Sequence, residues 1–153
     1  MAFRRYRGLQ SACLTLEIGM SQPEIAMAPG RILVVDDDEA VRRVFAEVLR
    51  LEGYAVQTAA SAADALREVS TWKPDAILLD YRMPEVTGLG FLYRLYARHA
   101  ISRTRVAVIT GVADLDSSLS DELADLRIPV YFKPLGAEDL LALARRLLTP
   151  TIH

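Results

Sequence analysis

Four apolar runs in this chain each end in a side chain capable of chemistry. Ile32-Leu33-Val34-Val35 runs into Asp36 and Asp37, and Ala76-Ile77-Leu78-Leu79 into Asp80. Val106-Ala107-Val108-Ile109 runs into Thr110, and Val130-Tyr131-Phe132 into Lys133. Three carboxylates repel one another, so gathering them makes sense where a hard cation neutralises them. A set of one or two carboxylates, completed by waters and phosphate oxygens, suits Mg²⁺. A carboxylate is also a nucleophile for covalent catalysis, giving an aspartyl phosphate. Phosphoryl transfer asks for in-line positioning and charge neutralisation more than for acid–base work. The Lys133 ammonium suits the balancing of phosphoryl oxygens, and the Thr110 hydroxyl suits donation to one of them.

Each residue alone has a plainer explanation. An Asp after a strand is commonly a helix cap or turn former. Asp38 and Glu39 are best read that way, favouring the positive end of a following helix. Thr110 beside Gly111 suits a turn, and Lys133-Pro134 by itself says little. Capping does not require such residues at four different strand ends, and that joint occurrence carries the chemical reading.

The residues converge only if the runs are strands of one sheet. Ile32–Val35 is short, β-branched and apolar, as in a strand buried on both faces. Val41, Val44, Phe45, Val48 and Leu49 then recur at helical spacing, and Gly53 ends that helix. Tyr54–Thr58 reads as a second strand. Ser61 reads as an N-cap with Asp64 at the third helical position, ahead of Ala65, Leu66 and Val69. Pro74 breaks this helix before a third strand, Asp75–Asp80, and Met83–Gly88 reads as a loop. A helix with Leu89, Leu92, Leu95 and Tyr96 follows, then a fourth strand, Arg105–Thr110. Asp114–Leu126 is polar and weakly helical. Pro129–Phe132 is a short fifth strand, and Leu140, Leu141, Leu143, Ala144, Leu147 and Leu148 line a last helix. Strands alternating with helices predict an α/β fold, a five-stranded parallel sheet covered on both faces. Such sheets place their sites beyond the carboxyl ends of the strands.

The 153 residues form one ordinary domain's worth of chain, at a formal net charge of −2. That charge gives no broad basic field, so direct nucleic-acid binding is not expected. Cys13 is the only cysteine and His99 and His153 the only histidines, too few for a disulfide or a zinc cluster. No stretch reaches the ~18–20 apolar residues that cross a bilayer. Arg4, Arg5 and Arg7 precede a mildly apolar run, but Glu17 interrupts it and no signal peptide is expected. The expectation is a cytoplasmic protein with a flexible extension over residues 1–30, a domain over 31–149 and a tail over 150–153. No room is expected for a second domain.

Taken together, Ile32-Leu33-Val34-Val35-Asp36-Asp37, Leu79-Asp80-Tyr81-Arg82-Met83-Pro84 with Gly88, Val108-Ile109-Thr110-Gly111 and Phe132-Lys133-Pro134 resemble the two-component response-regulator receiver domain. The similarity runs from about Arg31 to Leu148. It implies a flavodoxin-like fold with strand order 2-1-3-4-5. It further implies that Asp80 accepts a phosphoryl group from a histidine kinase or a histidine phosphotransfer protein. Asp37 and Asp80 would ligate Mg²⁺ through carboxylates, Asp36 through water, and Arg82 through its backbone carbonyl. Lys133 would contact the phosphoryl group, Thr110 would reorient toward it, and the Lys133-Pro134 bond is often cis. By the same resemblance, Arg82 and Val112 occupy the two positions that control hydrolytic water, which favours a slow-decaying phosphoryl group. One departure concerns the position three before the lysine, where the family usually carries an aromatic that swaps rotamer. Here it is Val130, and alternation would point Tyr131 to the opposite face. Readout is therefore expected through the polar fourth helix and the surface around Leu135. Output would be by contact with an unknown downstream protein, by phosphate relay to a histidine phosphotransfer protein or by acting as a phosphate sink, and the fourth-helix face is a candidate homodimer surface.

Three alternatives remain at this point. A haloacid-dehalogenase-like phosphatase would use Asp36 as nucleophile, but Glu39-Ala40 fits its signature poorly and Asp80-x-x-x-Pro84 goes unexplained. A flavin-binding protein would need a hydroxyl- or Gly-rich phosphate loop where this chain has acids. A structural module would keep the site without using it.

Overall fold

The computed structural model describes residues 29–83, 85–98 and 104–150, without the side chains of Arg98 and Val112. Expectations placed on residues 1–28, Pro84 and 151–153 lie outside them.

Among the described residues, five strands and five α-helices alternate. They are β1 (Arg31–Val35), α1 (Glu39–Leu51), β2 (Ala55–Ala59), α2 (Ala62–Trp72), β3 (Ala76–Asp80) and α3 (Gly88–Arg98). These are followed by β4 (Arg105–Thr110), a 3₁₀ turn (Val112–Asp114), α4 (Ser117–Asp125), β5 (Val130–Phe132) and α5 (Ala137–Leu148). All pairings are parallel, in the order β2-β1-β3-β4-β5. This is the flavodoxin-like order that the resemblance implies. Among the described residues no helix is long and apolar enough to cross a membrane.

Strand alternation divides the core in two. Leu33, Val35, Ile77, Leu79, Val106 and Val108 face α2, α3 and α4, meeting Leu66, Phe91, Leu95 and Leu123. Ile32, Val34, Leu78, Ala107 and Ile109 face α1 and α5, meeting Phe45, Leu49, Leu140 and Leu143. Every residue of β3 is buried. Each wholly buried Leu or Ile contributes roughly 1.5–3 kcal/mol from transfer out of water, which holds the central strands firmly.

The boundaries follow local chemistry. Asp38 caps α1 by accepting from the Ala40 and Val41 N–H groups, and Ser61 caps α2 by accepting from the Asp64 N–H at 3.1 Å. The second strand starts one residue later than expected, because the Tyr54 N–H is taken by the Leu49 carbonyl closing α1. The fifth starts at Val130 because Pro129 has no N–H for the ladder. Gly88 is the first residue of α3 and not loop. Its N–H donates to the Tyr81 carbonyl at 2.7 Å, and a Cβ there would stand 2.8 Å from the Tyr81 Cα. Only glycine lets the helix come this close behind Asp80. The polar segment after β4 resolves into the 3₁₀ turn and α4, whose first turn Asp116 caps through Leu119 N–H at 2.8 Å.

Candidate functional site

The order 2-1-3 makes β1 and β3 neighbours on whose two sides the chain winds in opposite directions, and a crevice opens at their carboxyl ends. An open cleft of about 640 Å³ lies there, lined by Asp36, Asp37, Asp38, Asp80, Arg82, Met83, Gly111, Asp114 and Lys133. Asp36, Asp37, Asp80, Arg82 and Lys133, expected together from the sequence, meet in one place.

Asp36 and Asp80 are buried, whereas Asp37 is exposed. Asp36 is fully engaged: Oδ1 accepts from the Asp38 N–H at 2.9 Å and Oδ2 from Lys133 Nζ at 3.0 Å. Its carbonyl accepts from Arg42 Nη1 at 2.7 Å, tying α1 to the end of β1. Lys133 Nζ also lies 3.2 Å from Asp80 Oδ1, so one ammonium bridges the two buried carboxylates. Lys133 itself is set by the end of the β4–β5 ladder, its N–H donating to the Thr110 carbonyl at 2.8 Å. The Lys133-Pro134 bond is cis.

Burial pushes the Asp80 carboxyl up from 3.8 to about 6, the charge of Asp36 adds to this, and Lys133 and the Arg82 backbone N–H oppose it. Burial lowers the Lys133 ammonium, but its hydrogen bonds and attractions to Asp36 and Asp80 win and hold it above its usual value. The site is therefore short of positive charge. Carboxylate oxygens of Asp36, Asp37 and Asp80 all lie within 4.8 Å of one another. Hard oxygens gathered so closely, two of them on buried groups, fit a small divalent cation such as Mg²⁺.

Two expected residues stand apart from this cluster. Thr110 is wholly buried, does not line the cleft, and its hydroxyl donates weakly to the Gly111 carbonyl at 3.4 Å. Val130 is half-buried and packs with the α2–α4 side of the core. Tyr131 packs on the other side and its hydroxyl accepts from Arg146 Nη1 at 2.9 Å, so alternation separates the two as expected. Val112 lies in the 3₁₀ turn, and its side chain is outside the described set. Sequence reasoning passed over Asp114, four residues beyond Thr110, whose Oδ1 is 3.0 Å from Arg82 Nη1. Its one signal was an acid in the loop after a site strand, which capping of α4 explains equally well.

A parallel 2-1-3-4-5 sheet with an acid cluster and a lysine at its carboxyl edge defines the class of phosphoryl-receiving signalling domains. The model of the response regulator receiver domain matches residues 32–145, and the chain belongs to that family. It is similar to the response regulator MprA of Mycobacterium sp. strain KMS, at 37% identity over 128 residues, covering 80% of this chain and 52% of that protein. It is also similar to MprA of Mycobacterium ulcerans, at 36% identity, covering 79% and 51%. The chain thus spans about half the length of these curated relatives. Among solved structures, Vibrio cholerae chemotaxis protein CheY4 superposes with a TM-score of 0.72 at 27% identity, covering 79% of this chain and all of that one. A signal receiver domain from Bermanella marisrubri gives 0.68 at 27%, covering 80% and 100%. The protein is a two-component receiver, and phosphorylation-based signal transduction is the family's work.

Proposed function

We propose that Asp80 is the phosphoacceptor of this receiver and that a histidine kinase or histidine phosphotransfer protein supplies the phosphoryl group. The observation that carries this is the pairing of Asp80 with Lys133 at 3.2 Å inside an open acidic cleft, with one carboxylate on each side of the switch between β1 and β3. The Asp80 carboxylate oxygen forms the bond to phosphorus as the donor's bond to phosphorus breaks, and the donor leaves with that electron pair. Asp37 and Asp80 carboxylates and the Arg82 backbone carbonyl would hold Mg²⁺, with Asp36 acting through water. When bound, that ion would neutralise charge on the transferred group. Lys133 remains hydrogen-bonded to Asp36 and turns toward the incoming oxygens in place of Asp80. Thr110 would rotate out of its buried position to donate to a phosphoryl oxygen, and Arg82 and Val112 would govern entry of water. We assign residues 31–149 to the receiver unit. We place the protein in the cytoplasm, signalling through protein contacts that include the α4 face as a candidate dimer surface.

Asp36 as the nucleophile of a phosphatase has less support, since the family match is to the receiver domain and Glu39-Ala40 departs from the phosphatase signature. The test is intact-mass analysis after treatment with acetyl phosphate and Mg²⁺. Wild type should gain one acid-stable, base-labile phosphoryl group and Asp80→Asn none. Equal labelling of both would overturn the assignment.

A further inference from the structure

The cleft has two cations on its walls, and each is already committed. Lys133 sits between Asp36 and Asp80, while the Arg82 guanidinium lies 3.0 Å from Asp114. Arg82 is two residues beyond Asp80 and its backbone N–H donates to the Asp80 carboxylate, so the arginine is anchored at the phosphoacceptor. Its side chain is 76% exposed, whereas that of Asp114 is only 18% exposed. Asp114 is held in place from behind. Its N–H donates to the Gly111 carbonyl at 3.1 Å, and a Cβ on residue 111 would come within 3.2 Å of its Oδ2. Gly111 thus leaves the room in which a half-buried carboxylate faces an exposed guanidinium across the mouth of the cleft.

We infer that Asp114 is a positioning residue: its carboxylate competes with the phosphoryl group on Asp80 for the Arg82 guanidinium, and so shortens the lifetime of that group. The inference rests on the phosphoacceptor reading of Asp80. In decay, water oxygen bonds to phosphorus as the bond between phosphorus and the Asp80 oxygen breaks. The carboxylate leaves with the electron pair, and the water's proton passes to the released phosphate. A guanidinium drawn onto the phosphoryl oxygens fills the mouth through which that water enters. Parked on Asp114, it leaves the mouth open. A guanidinium binds a carboxylate and a phosphoryl group with the same forked geometry, so the two anions compete for it directly. Because the pair is solvent-exposed on the arginine side, the effect is modest.

The test follows the loss of the Asp80 phosphoryl group by intact mass after acetyl phosphate is removed, at constant Mg²⁺. Asp114→Asn should decay roughly two- to fivefold more slowly than wild type. Asp114→Glu, which can still park the arginine, should decay as wild type does. In an Arg82→Gln background the Asp114→Asn change should make no further difference. Unchanged or faster decay in Asp114→Asn, or slowing that persists without the guanidinium, would overturn the inference while leaving Asp80 as the acceptor. Absence of any Asp80 label in wild type would sink both readings at once.

Discussion

Strand β3 has five residues, all buried, with a hydrogen-bonded neighbour on each side. Strand β5 has three, at the edge of the sheet, with Val130 and Tyr131 half-buried and Phe132 exposed. The first ends in Asp80, inside the cluster of Asp36, Asp37 and Lys133; the second delivers Lys133 to that cluster and then turns away. The reacting end is thus specified by charge and hydrogen bonds near the centre of the sheet, whereas the edge strand that supplies its lysine is held by little more than one ladder and partial packing. A domain that must stay chemically poised yet change shape benefits from this inequality, because motion is drawn from the least stable elements.

The largest effect is expected at the one residue shared by both regions. Lys133→Ala leaves β5 able to pair but removes the bridge between Asp36 and Asp80. Labelling by acetyl phosphate should slow by about 10²–10³-fold, as when a pre-placed electrostatic contact is deleted. A rate within threefold of wild type would mean that the ammonium is structural only. Stability should show the same asymmetry. Leu79→Ala should cost about 3 kcal/mol in urea unfolding, since the residue is wholly buried in the core on the α2–α4 side of the sheet. Val130→Ala, half-buried at the edge, should cost about 1 kcal/mol or less. Comparable losses at both positions would show that β5 is held as firmly as β3.

The same inequality explains what could be read from the residues alone. Strands of continuous apolar sequence and their terminal acids announce themselves, because burial on both faces demands Val, Ile and Leu without interruption. The order of the strands and the meeting of Asp36, Asp37, Asp80 and Lys133 followed from that pattern and the family resemblance. The alternation that sets Val130 and Tyr131 on opposite faces was legible for the same reason. The start of α3 at Gly88 was not, since a glycine reads as loop unless one knows that the Tyr81 backbone lies against it. Nor was the inward turn of Thr110, because a hydroxyl at a strand end is equally at home facing the cleft or its neighbour's carbonyl. Asp114 escaped notice because its partner, Arg82, comes from a different loop, and a salt bridge between loops leaves no periodic trace.

The smallest effect probes the cost of keeping the reacting end poised. The Asp80 carboxyl is pushed up from 3.8 to about 6, chiefly by burial. The folded state therefore holds that proton more tightly than the unfolded chain does. Below pH 3.8 both forms are protonated and Asp80 makes no difference. As pH rises from 3.8 to 6 the unfolded chain ionises first, and stability falls; above pH 6 the whole penalty is present. A shift of this size sets an upper limit of about 3 kcal/mol, which the opening of the cleft to water reduces to roughly 1–2 kcal/mol. Asp80→Asn removes the ionisable group while keeping its shape. In EDTA at pH 7.5 the variant should melt several degrees above wild type, and the difference should shrink as pH falls through 6 toward 4. Mg²⁺ should narrow the gap at pH 7.5 by stabilising wild type more than the variant. A variant less stable than wild type in EDTA at pH 7.5 would mean that Lys133 compensates Asp80 fully, and that the acidic cleft carries no stored cost for a cation or a phosphoryl group to relieve.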